Sequence, residues 1–234
     1  MSIANNVKAV TENIKEAADR TGRDLNDITL IAVTKTIGTE QIKEIISCGI
    51  TTLGENRVQE FLPKYEVLST LELPPKWHFI GHLQKNKVKY IIDKVDLIHS
   101  VDSIELAQEI NKQAEKTGRI MPILAQVNIA EESSKYGMPC EQIFDFIAKT
   151  EHMSYLQLNG LMCVPPFVEN AQENRPNFKK MRTLIVDIHK GSGYHKTPFN
   201  LKELSMGMSG DYAVAIEEGS TMVRIGTSLF GERV

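Results

Sequence analysis

Cysteine is scarce in this chain. The three present, Cys48, Cys140 and Cys163, are odd in number and far apart, and no two stand in a CxxC spacing. That excludes a disulfide framework and a paired-cysteine metal knuckle, and it fits a reduced, cytoplasmic setting. No apolar run approaches the roughly 18 residues of a membrane span. The start, Met1-Ser2-Ile3-Ala4-Asn5-Asn6, lacks the basic and then apolar pattern of an export signal, so a soluble, untargeted protein is expected. An excess of either charge is missing too. Lys and Arg number 27 against 30 Asp and Glu, a net of −3, which gives no overall attraction to nucleic acid or to an anionic membrane. The one basic cluster, Lys85, Lys87, Lys89 and Lys94, reads as the solvated face of a helix. With no low-complexity linker and no shift of composition, one domain over residues 1–234 is the economical expectation.

What is present is the material of an ordinary globular protein, 41% hydrophobic and 24% charged over 234 residues, enough to bury a full core. Ile3, Val7, Val10, Ile14 and Ala17 fall at helical spacing and predict an amphipathic first helix, stopped at Thr21-Gly22. Short apolar runs then alternate with helical patterns. Strands are expected at 28–33, 51–53, 77–80, 97–99, 123–127, 158–162, 200–204 and 221–225. The helices expected between them run over 40–48, 58–68, 86–92, from Asp102 or Ser103 to 116, then 140–149, 177–189 and 211–217. Eight strand-helix units whose strands are near-continuous apolar runs predict a closed parallel (β/α)8 TIM barrel with an extra N-terminal helix. Weak strands at Thr51 and Asn200 leave a doubly wound sheet as the alternative.

Barrels of this kind place reacting groups at the C-terminal ends of their strands, and often hold a phosphate in the loops after strands 7 and 8. The first strand ends Thr29-Leu30-Ile31-Ala32-Val33-Thr34-Lys35. Burial there disfavours the ammonium and makes Lys35 a candidate nucleophile; otherwise its stem simply covers the strand end. Ser205, Gly207, Ser209 and Gly210 follow the expected strand 7, and Gly226-Thr227 opens a helical turn after strand 8. Small residues and free N–H groups at both loops suit one phosphate, although cap glycines and cap hydroxyls give the same pattern. Barrel closure sets strand 8 beside strand 1, so a phosphate and an amine share one mouth. Pyridoxal 5'-phosphate carries a phosphate and an aldehyde on one ring, and a phosphorylated sugar also fits. Arg224 favours the former, because a guanidinium is a donor only and can serve a ring nitrogen that stays unprotonated. His78 and His82 lack helical spacing and a third ligand, so packing or hydrogen bonding is expected of them rather than metal binding.

The stretches Thr34-Lys35, Gly54-Glu55-Asn56-Arg57-Val58-Gln59-Glu60, Trp77-His78-Phe79-Ile80-Gly81-His82-Leu83-Gln84, Gly160-Leu161-Met162, Leu204 to Ser209 and Val223 to Thr227 together resemble the pyridoxal phosphate homeostasis proteins. The resemblance spans essentially the whole chain. It implies the fold of the alanine racemase barrel domain (fold type III) and a cofactor-binding protein without established catalysis. It implies that Lys35 holds pyridoxal 5'-phosphate as a Schiff base, that Arg224 meets the ring nitrogen, and that Ser209, Gly226 and Thr227 bind the phosphate. Asn56 is implied near the oxygen side of the cofactor and Met162 near its ring face. Racemases of this fold complete their site with a tyrosine from an added β domain. The sequence stops at Val234 without one, and nothing places Tyr136 or Tyr212 opposite Lys35. A cytoplasmic monomer that buffers the cofactor or delivers it to apo-enzymes is therefore expected, with a weak racemase as the alternative.

Overall fold

The computed structural model describes residues 2–132, 135–190 and 201–231. Eight parallel strands close into one barrel: β1 (Thr29–Val33), β2 (Thr52–Glu55), β3 (Lys76–Phe79), β4 (Leu97–Val101), β5 (Met121–Val127), β6 (Leu156–Cys163), β7 (Glu203–Met208) and β8 (Met222–Ile225). The open-sheet alternative falls, since β1 pairs with β8 as well as with β2. Helices α1 (Ile3–Asp19), α2 (Thr39–Ser47), α3 (Val58–Leu68), α4 (Ile104–Thr117), α5 (Ile143–Thr150), α6 (Arg175–Lys190), α7 (Tyr212–Glu217) and α8 (Thr227–Phe230) accompany the strands. The extra helix α1 buries the predicted stripe of Ile3, Val7, Val10, Ile14 and Ala17, and Ser2 caps it through its side chain. Its polar residues tie it to the end of the chain. Asn6 donates to the Leu229 carbonyl, Asn13 to the Tyr212 hydroxyl and Arg20 to Glu217.

The core has two parts. Outward-facing strand residues such as Ala32, Leu53, Phe79 and Leu161 pack against the helices. Inside the barrel, Ile31, Leu97, Leu124, Met162 and Met222 form a small apolar plug. Gly54 faces this interior, where a Cβ would lie 2.8 Å from Ile31 and 2.9 Å from Ile80.

Several expectations need correction. The lysine-rich segment forms a helix of the tighter 3-10 kind over Lys85–Tyr90 rather than an α-helix to Ile92. Its 88-to-91 hydrogen bond puts both apolar residues on the buried side within one three-residue turn. The helix expected from Cys140 likewise begins as a tight turn, with α5 starting at Ile143. The second strand runs on through Gly54 and Glu55. Strand β7 begins at Glu203, and Asn200, its expected start, lies outside the described residues. Ser205 and Gly207 therefore stand within the strand and not in the loop after it. Gly207 has φ 92°, and a Cβ there would sit 2.6 Å from that of Ala215. The register between β7 and β8 shifts in this stretch, so the glycine serves a bulge under α7.

Candidate functional site

Alternation along β1 builds the mouth. Ile31 points into the interior plug, Ala32 outward, and Val33 back toward the opening, where Lys35 follows two residues later. The register sets Ile31 beside Arg224 and Ala32 beside Ile225, so the ends of these adjacent strands open on one mouth, where Lys35, Arg224 and Gly226 meet. They line a cavity of about 430 Å3, a volume suited to a small cofactor. Lys35, Ser209, Arg224, Gly226 and Thr227 are brought together there. Asn56 and Met162 lie elsewhere. Asn56 borders a separate cleft of about 110 Å3 beside Phe79 and His82, while Met162 is buried in the interior plug.

At the rim, the N–H groups of Gly226 and Ser228 donate to Ser209 Oγ at 3.2 and 3.4 Å, which stitches the loops after β7 and β8 together. Sequence reasoning missed two further charged lining residues, Lys135 and Asp211. Lys135 Nζ donates to the Pro165 carbonyl at 2.9 Å, and Asp211 accepts from Met208 N–H and from Asn174 Nδ2. Two lysines and an arginine thus face the cavity against one carboxylate that is already hydrogen-bonded, a balance that attracts an anion.

Arg224 is buried, and its position is fixed from below. Nη1 donates to Ser205 Oγ at 2.5 Å and Nη2 to the Cys163 carbonyl at 2.8 Å. Ser205 Oγ lies 2.9 Å from His99 Nδ1, and His99 Nε2 lies 2.9 Å from His78 Nδ1. Donor and acceptor roles follow along this chain. Ser205 accepts from the guanidinium and keeps one hydrogen that can go to His99 Nδ1, the arrangement in which His99 carries its proton on Nε2 and donates to His78. Both rings are held neutral. Burial, with Lys76 nearby, lowers His78 to about 4, and burial next to His78 and Arg224 holds His99 well below the ordinary imidazole value. Burial also raises the Cys163 thiol to about 12. Neither His99 nor the inward direction of Ser205 was apparent beforehand; a histidine inside an otherwise apolar strand, Leu97-Ile98-His99, is the signal that could have found it.

His82 does not join a metal site. Its Nδ1 lies 3.5 Å from Asp102 Oδ2, and Tyr136 stacks on its ring with centroids 3.9 Å apart. Among the described residues, no group of three or more His, Cys, Asp or Glu side chains is placed to hold a metal. No helix among them is long and apolar enough to cross a membrane.

Comparison with known proteins agrees with this geometry. Residues 6–234 match the family model of the alanine racemase N-terminal domain. A pyridoxal phosphate homeostasis protein of Aquifex aeolicus is 45% identical over 233 residues, covering 100% of this chain and 99% of the relative. PipY of Synechococcus elongatus, solved with PLP bound, superposes with a TM-score of 0.84 at 32% identity and covers 98% of this chain and 100% of its own. The alanine racemase of Clostridium difficile, at 17% identity and a TM-score of 0.69, shares the barrel alone; 98% of this chain aligns with 57% of that one. The chain belongs to the alanine racemase N-terminal domain family and, within it, to the pyridoxal phosphate homeostasis proteins.

Proposed function

We propose that this protein binds pyridoxal 5'-phosphate in the 430 Å3 cavity, holds it covalently through Lys35, and serves cofactor homeostasis by buffering or delivering it to apo-enzymes. One observation carries the reading: an amine, a buried donor-only guanidinium and two stitched small-residue loops line a single cavity of cofactor size. PipY, with PLP bound on the same fold at 32% identity, supports it.

The residues present fit the group. When bound, it supplies an aldehyde that a primary amine can condense with, and a ring that can draw electrons. Lys35 offers the amine. Lys135 adds positive charge for the phosphate, and Ser209, Gly226 and Thr227 offer small hydrogen-bonding groups at the rim. Arg224 spends two of its five N–H donors on Ser205 and Cys163 and keeps others for the ring nitrogen. With no proton to give up and no lone pair, it leaves that nitrogen unprotonated and the electron pull weak. No tyrosine lines the cavity among the described residues; Tyr212 bonds Asn13 and Tyr136 stacks on His82. This combination supports a holder over a racemase.

Borohydride reduction followed by peptide mapping tests the attachment: the pyridoxyl group should appear on Lys35, and its absence there removes the proposal. Incubation with L-alanine in deuterated water should leave the α-proton in place. Turnover-level exchange would replace the holder with an enzyme.

A further inference from the structure

The motif Gly54 to Glu60 contributes nothing to the cavity lining, yet its carboxylates reach the turn that carries Lys35. That turn is closed by the Ile37 N–H, which donates to the Thr34 carbonyl at 2.9 Å, so Lys35 and Thr36 are its two corner residues. Thr36 has φ 63°. This is the left-handed region, where glycine is usual and a β-branched residue is strained by about 1–2 kcal/mol. Something outside the turn has to hold it, and α3 supplies the groups. The Thr36 N–H donates to Glu60 Oε2 at 2.7 Å. One helical turn further on, Lys64 Nζ donates to the Thr34 carbonyl at 2.7 Å. Lys64 is aimed by the fully buried Glu55, whose Oε2 accepts from Lys64 Nζ at 2.7 Å and from the Thr34 hydroxyl at 3.0 Å. Glu60 lies 3.6 Å from the same ammonium. The Thr36 hydrogen bond, ahead of the nearby Lys64 charge, holds the Glu60 carboxyl below its ordinary value, which keeps it an acceptor.

We propose that Glu60 and Lys64 are positioning residues for Lys35: from one face of α3 they grip the peptide groups on both sides of it and hold the strained turn that aims its amine into the cavity. The inference rests on the reading of Lys35 as the attachment point. In that step the neutral amine adds to the aldehyde carbon, a C=N bond replaces C=O, one water leaves, and no oxidant or reductant is needed. The grip acts on this step alone, because neither Glu60 nor Lys64 lines the cavity.

Two ligands separate positioning from general structural damage. Pyridoxal 5'-phosphate can bond to Lys35, whereas pyridoxamine 5'-phosphate has no aldehyde and binds only through its ring and phosphate. Glu60 is partly exposed, so Glu60→Ala should fold. Its affinity for pyridoxal 5'-phosphate is expected to fall about tenfold, the size of one lost charge-assisted hydrogen bond, with pyridoxamine 5'-phosphate affinity within about twofold of the parent. Glu60→Gln keeps an acceptor oxygen and should restore most of the loss. In a Thr36→Gly background the turn is no longer strained, and the same Glu60→Ala change should cost about threefold or less. Parent-like binding of both ligands by Glu60→Ala overturns the proposal, as does an equal loss of both or an undiminished loss beside Thr36→Gly. If the parent protein itself gives no reduced adduct on Lys35, the attachment reading fails first, and that outcome is distinct from an adduct insensitive to Glu60.

Discussion

Acidification should weaken this protein through two histidines that no exposed histidine can imitate. An unfolded imidazole titrates at 6.5, and folded His78 at about 4, because burial penalises its charged form. Between these values the unfolded chain binds a proton that the folded chain refuses. Stability is therefore complete above about pH 6.5 and is lost as pH falls toward about 4. Going from about pH 7 to about pH 5, His78 alone should cost roughly 2 kcal/mol. His99, shifted in the same direction by burial, adds a loss of the same sign. For an unfolding slope of roughly 3 kcal/mol per molar urea, the His78 share moves the midpoint down by roughly 0.7 M. Urea titration followed by far-UV circular dichroism at the two pH values measures this directly, with His78→Gln as the comparison. An equal midpoint at both pH values, or the same drop in His78→Gln, would refute the neutral buried pair.

Two further changes probe the same interior. Ser205→Ala leaves a buried guanidinium and His99 without their shared partner, and should cost about 2–3 kcal/mol, read as a melting temperature roughly 6–10 °C lower; a shift under about 2 °C contradicts the chain of hydrogen bonds. Gly160→Ala places a Cβ 1.9 Å from the Glu203 carbonyl oxygen where β6 meets β7, so soluble expression should collapse or the melting temperature drop by more than about 10 °C. A variant that melts like the parent would mean the two strands do not approach so closely.

The barrel was legible because its strands are fully buried runs and its helices carry one apolar stripe, two periods that read without any tertiary knowledge. Lys35, Arg224 and the glycine loops were legible through one topological rule, since closure alone makes the first and last strands neighbours. Ser205 and Gly207 were misread because a Ser-Met-Gly-Met run looks like a loop when the strand contains a bulge. The link from Arg224 through Ser205 to His99 and His78 could not be read at all. Periodicity says that a residue is buried, not which residue 106 positions away it meets. Glu55 and Lys64 shared that fate: a buried carboxylate and a buried ammonium each contradict composition rules until they are seen as a pair.

The meeting of β1 and β8 has a consequence for the order in which this molecule comes into being. Lys35 leaves the ribosome well ahead of Ser209, Arg224 and Gly226. The helix α1, which packs on α7 and α8, has the same long wait for its partners. Local strand-helix units can form early, yet the cavity exists only after β1 and β8, the strand pair of greatest sequence separation, have closed the ring, a slow step in any chain. A nascent or truncated molecule lacking β8 holds the lysine without the arginine and the rim. Capture of a ligand is in this way a report that β8 has been made and the ring has closed.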